Sequence, residues 1–146
     1  MSQITLPPNP HGLDDATVEA RRRERTAYKA LVGELPEELR NLRVAVLIET
    51  LSAGSPANPA AVTAVLSAHD DRADQPMRWT RDHVEELLWI GIDDFCREYD
   101  LPRPEGCPEA LHAILGVATR CKLLAPGSDR TCELFGPVRQ LCPQVA

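Results

Sequence analysis

The sequence predicts an all-α protein, a single compact bundle of five to six helices. Three observations point there. Apolar residues recur at helical spacing through the longest patterned run, and no stretch sustains the period-two alternation of a half-buried strand. Thirteen prolines then punctuate the 146 residues into helix-sized segments with short connections. That length suits one domain, able to bury a core without disulfides or metals. With 43% hydrophobic but only 4% aromatic residues, aliphatic side chains and alanines must fill that core.

Residues 1–12, with Pro7, Pro8 and Pro10, read as a flexible or extended lead-in, and residues 13–146 as the single helical domain. A first helix is expected from about Asp14 to Glu34, with Asp14 and Asp15 at the positive end of its dipole. Its RRRER run, Arg21–Arg25, fans around the helix at 100° per residue and forms no stripe. Five acids and five bases leave this helix neutral, so a solvated face is expected there. Pro36 fits the first turn of a second helix, which Gly54 stops. Its VAVLI segment, Val44–Ile48, is apolar on nearly every side, which predicts a buried central helix. After the SPANP turn a third helix covers about Pro59 to His69, with Val62, Val65 and Leu66 inward. The polar loop Asp70–Met77 follows.

The clearest signal is Trp79–Asp100, WTRDHVEELLWIGIDDFCREYD. Val84, Leu87, Leu88, Gly91, Ile92, Phe95 and Tyr99 form its apolar stripe, Thr80 its N-cap and Leu101-Pro102 its stop. Trp79 and Trp89 are expected in the core or as a staple, Trp89 at the core edge. A fifth helix should run from Pro108 to about Leu124, its stripe being Leu111, Ile114, Leu115, Ala118 and Cys121. Ser128 should cap a brief final helix to Phe135, which Gly136-Pro137 interrupts before one further turn.

The formal charge of −6 has no basic tail or domain to offset it: residues 1–76 and 77–146 each carry 8 basic and 11 acidic side chains. A nucleic-acid binder needs concentrated positive surface, so nucleic acid is an unlikely partner. A helix-turn-helix in helices three and four is disfavoured by their long connection and by the acidity of the second. No window is apolar enough to span a membrane, and MSQITLPPNP lacks the layout of a signal peptide, so a cytoplasmic protein without membrane attachment is expected.

The concentrated charge lies on the fourth helix. Asp82, Glu85, Glu86, Asp93, Asp94, Glu98 and Asp100 face only Arg81 and Arg97. Such a face is either solvated or docks a basic partner. The candidate interaction face is Glu86, Trp89, Asp93, Asp94 and Arg97, with Trp89 as anchor if exposed.

Five cysteines, Cys96, Cys107, Cys121, Cys132 and Cys142, stand 11, 14, 11 and 10 residues apart. None forms the short knuckle of a structural zinc site. Buried thiols are the expected role, and no cofactor or metal is assigned. Cys107, His112 and Cys121 are the one weak ligand set. A reactive Cys121 between Arg120 and Lys122 is disfavoured because adjacent helical residues point to different faces. Glu109-Ala-Leu-His112 is a single copy of a unit that di-iron bundles use twice. No phosphate loop, dinucleotide fingerprint, nucleophile elbow or zinc-protease motif occurs, so no catalytic residue is assigned and the enzyme class is disfavoured.

The pattern Trp79, Glu86-Leu87-Leu88-Trp89, Phe95-Cys96, Leu101-Pro102-Arg103-Pro104, Ser128-Asp129, Leu134 and Pro137 resembles one in small uncharacterised proteins of high-GC actinobacteria. It covers about the last 60 residues, and the excess of arginine over lysine, 14 to 2, fits a GC-rich genome. The resemblance implies no activity and supplies no site residues. The expected function is a regulatory or adaptor protein acting through protein contacts, self-association included. The alternatives are a helical DNA-binding regulator and a thiol- or metal-dependent enzyme.

Overall fold

A computed structural model describes residues 14–141, the side chain of Leu141 excepted. The predicted lead-in and Cys142 lie outside the described residues. Among these the fold is all-helical, six helices around one core: α1 (Asp15–Val32), α2 (Glu37–Ser52), α3 (Pro59–Arg72), α4 (81–98), α5 (Cys107–Arg120) and α6 (Thr131–Leu141).

Local chemistry sets most ends. Asp14 caps α1 by accepting from the Thr17 N–H, and Asn58 caps α3 by accepting from the Ala60 N–H. Pro36 precedes the first turn of α2, and Gly54 closes that helix at φ 78°, a conformation glycine adopts without strain. Helix α4 ends as its Leu101-Pro102 stop predicts. The Leu101 N–H reaches back to the Cys96 carbonyl, with Asp100 left-handed at φ 53°. The same closure ends α5 about four residues early: Lys122 turns left-handed and the Leu123 N–H binds the Ala118 carbonyl. Cys121, expected to continue the buried stripe, is therefore exposed.

The central helix is α3, a correction to the sequence expectation. Every residue from Ala60 to His69 is buried, and α3 packs against α1, α2, α4 and α5. Its alanines, with Thr63 and Ser67, are small enough for neighbours to close in on all sides, and it carries no charge before Asp70. Helix α2 has larger apolar residues but only one buried face, Leu39, Leu42 and Val46. Val44, Ile48 and Leu51 are 50%, 61% and 68% exposed along its opposite side.

Helix α6 also departs from expectation by running through Gly136-Pro137 without interruption. An interior proline costs about 3 kcal/mol through a lost hydrogen bond and a clash. Leu134 and Val138, both wholly buried on either side of it, offset that cost by packing. Ser128 does not cap α6. Its hydroxyl accepts from the Trp79 N–H at 3.1 Å, within a clasp that ties residues 77–81 to 125–129. The Ala125 N–H binds the Met77 carbonyl, the Asp129 N–H binds the Trp79 carbonyl, and the Asp129 carboxylate accepts from the Arg81 N–H at 2.7 Å. Helix α4 thus starts with two donors satisfied, since Thr80 accepts from the His83 N–H.

Candidate functional site

Helix α4 is not one regular helix. Its segments Arg81–Glu86 and Ile92–Glu98 are joined by a π turn, Leu87–Gly91, in which the Ile92 N–H reaches five residues back to the Leu87 carbonyl. The wider turn keeps Val84, Leu87, Leu88, Gly91, Ile92 and Phe95 in the core and turns Trp89 and Ile90 outward. Trp89 is 67% exposed and Ile90 48%, so the expected core-edge position of Trp89 is corrected. Tyr99, the last residue of the predicted stripe, is also exposed.

Trp79 takes the buried place instead. Its ring stacks on His69 with centroids 3.5 Å apart and planes 2° from parallel, and His83 meets His69 edge-on at 4.7 Å. His69 Nε2 donates to the Pro76 carbonyl at 2.9 Å, leaving Nδ1 without a hydrogen-bond partner among the described residues. Burial, reinforced by His83, pulls the His69 pKa down to about 3, and burial lowers that of His83 as well. Both imidazoles are therefore neutral at pH 7, and among the described residues no nucleophile or carboxylate is hydrogen-bonded to them.

The predicted interaction face comes together around Gly91. Arg72, the last residue of α3, binds both Glu86 and Asp94, reaching Asp94 at 3.4 Å. A Cβ at Gly91 would make an ordinary contact with Arg72 Nε at 3.5 Å but a tight one with Leu87 Cδ2 at 3.2 Å. Arg97 also pairs with Asp94, at 3.4 Å, and Arg103 binds Asp93. Glu86, Asp93 and Asp94 are therefore an ion-paired rim beside Trp89, not a free negative stripe. Sequence reasoning missed Ile90, Arg72 and Arg103. The π turn leaves no simple sequence signature, and both arginines reach the face from outside the helix.

The four described thiols do not form a centre. Cys96 is buried 3.2 Å from the Tyr28 hydroxyl, which donates to the Pro102 carbonyl at 2.9 Å. Burial pushes the Cys107 thiol up to about 12, well away from a reactive thiolate. Cys121 and Cys132 are exposed. His112 packs on Phe135 at 4.9 Å and is not gathered with Cys107 and Cys121. Among the described residues no group of three or more His, Cys, Asp or Glu side chains is placed to hold a metal ion.

None of the described helices is long and apolar enough to cross a membrane. No family model, curated protein or solved structure matches this chain.

Proposed function

We infer that this is a small helical adaptor or regulatory protein that works by binding another protein through the Trp89 face. The observation that supports this reading is a tryptophan held in solvent by the π turn. A large aromatic exposed beside an apolar neighbour and ringed by ion pairs has the composition of an interface anchor within a polar rim. Val44, Ile48 and Leu51 on α2 offer a second apolar stripe, which suits an adaptor that holds two partners or a partner and a second copy of itself. Helix α4 stays acidic even after Arg72 and Arg103 are counted, and the whole chain carries −6, so the partner at Trp89 is expected to be basic. The four described cysteines are all free thiols, in keeping with a cytoplasmic, reducing location.

The test places a photo-cross-linking residue at position 89 and another at the exposed Arg130. A single defined adduct from position 89, competed by unlabelled protein and lost in the double variant Asp93→Lys, Asp94→Lys, supports the reading. Identical adducts from both positions, or none from position 89, overturn it.

A further inference from the structure

A second surface feature lies away from the Trp89 face, where α1, α2 and the first turn of α3 meet around an open cleft of about 450 Å³. That volume is within the usual range of small-molecule sites. Arg25 and Lys29 stand one turn apart on α1, and Arg43 faces them from α2. No carboxylate lines the cleft, and none of the three cations has an ion-pair partner among the described residues. In a chain of net charge −6, these three cations line one and the same cleft.

Arg43 is the informative member. It is half-buried, and its Nε donates to the Thr63 hydroxyl at 3.0 Å. Thr63 is wholly buried and held in turn by the Pro59 carbonyl at 2.9 Å, so the hydroxyl is a fixed anchor. This hydrogen bond orients the guanidinium while leaving both terminal nitrogens without partners among the described residues. Desolvation lowers the guanidinium's pKa, with no carboxylate to offset it. A cation withdrawn from water and left unpaired is costly unless an anion completes it. The rest of the cleft is apolar, formed by Tyr28, Val32 and Ala60.

We propose that this cleft binds a small organic phosphate monoester, its phosphate held by Arg43, Lys29 and Arg25 and its apolar body lying against Tyr28, Val32 and Ala60. Three positive charges call for more than the single negative charge of a carboxylate. The planar pair of free guanidinium nitrogens matches two phosphate oxygens. The apolar lining excludes inorganic phosphate as the preferred occupant, since that ion would leave Val32 and Ala60 uncovered.

Titration calorimetry of the full chain with naphthyl phosphate, inorganic phosphate, naphthol and naphthoate tests this. Saturable one-to-one binding of naphthyl phosphate is expected, at least about tenfold tighter than any of the other three, because both the charge-assisted bonds and the apolar contact are needed. Arg43→Gln should weaken it about tenfold or more, and Lys29→Gln and Arg25→Gln about threefold each, as expected for losing one charged partner at decreasing depth. Arg40→Gln removes an exposed α2 charge outside the cleft and should leave affinity unchanged; unaltered circular dichroism shows that each variant is folded. The proposal fails if naphthyl phosphate shows no saturable binding at millimolar concentration, or if Arg40→Gln weakens it as much as Arg43→Gln. Inorganic phosphate or naphthoate binding equally well also overturns it, as does a short DNA duplex displacing the probe at lower concentration.

Discussion

The two ends of helix α3 treat their arginines in opposite ways. At its C-terminal end Arg72 lies across Gly91 and is saturated by Glu86 and Asp94. Near its N-terminal end Thr63 steers Arg43, which no carboxylate meets among the described residues. The first guanidinium fastens one helix to another; the second is oriented and left open. Formal charge is the same at both sites, and only the neighbours differ. The contrast teaches that an arginine's role is read from what its terminal nitrogens touch.

Four measurements sharpen or break this contrast. The largest effect is expected beside the saturated end. Trp79→Ala should cost about 3–5 kcal/mol in urea unfolding, because it empties a fully buried site stacked on His69, whereas Trp89→Ala should stay within about 0.5 kcal/mol. Equal losses would mean that the π turn does not hold Trp89 in solvent.

Acid acts on the same end. The folded pKa of His69 lies below its ordinary value of 6.5, so the unfolded chain takes up the proton first as pH falls. Stability from this group is complete above pH 6.5 and is lost progressively toward pH 3. The loss should reach about 2 kcal/mol by pH 5, at about 1.4 kcal/mol per pH unit. His69→Phe should flatten that slope in urea titrations at stepped pH, and an unchanged slope would place the titration elsewhere.

The arginines themselves give the smaller and more pointed pair. Arg72→Met should destabilise by about 1 kcal/mol, since it leaves two half-exposed carboxylates close together. Arg43→Met should be neutral, or stabilising by about 0.5 kcal/mol, because it removes an unpaired and partly desolvated cation. The same sign for both in thermal unfolding would erase the distinction between the two ends of α3.

Much of the fold was legible because it rests on local chemistry. Thr80 as cap, Leu101-Pro102 as stop and Gly54 as closure of α2 each act within a few residues of their own helix. What was not legible depends on contacts distant in sequence. Large apolar residues in Val44–Ile48 suggested a central helix, yet centrality went to α3, whose alanines give a weak hydrophobic signal but allow the closest approach. Cys121 fell outside the core because α5 closes at Lys122, where nothing in the residue types demands a stop. The acids at Glu86, Asp93 and Asp94 were visible, but their neutralisation by Arg72 and Arg103 was not. Arg25, Lys29 and Arg43 were visible only as scattered members of two helices; the turn between α1 and α2 brings them to one cleft.

The Asp129 carboxylate on the Arg81 N–H carries a consequence for the order in which this chain matures on the ribosome. Helix α4 begins its first turn on a group that is synthesised 48 residues later. Until residue 129 has left the exit tunnel, α1 and α3 already have their side-chain caps, Asp14 and Asn58, whereas α4 has only Thr80. The start of the emerging Trp89 helix is therefore closed only once the segment around Asp129 has emerged and docked on it.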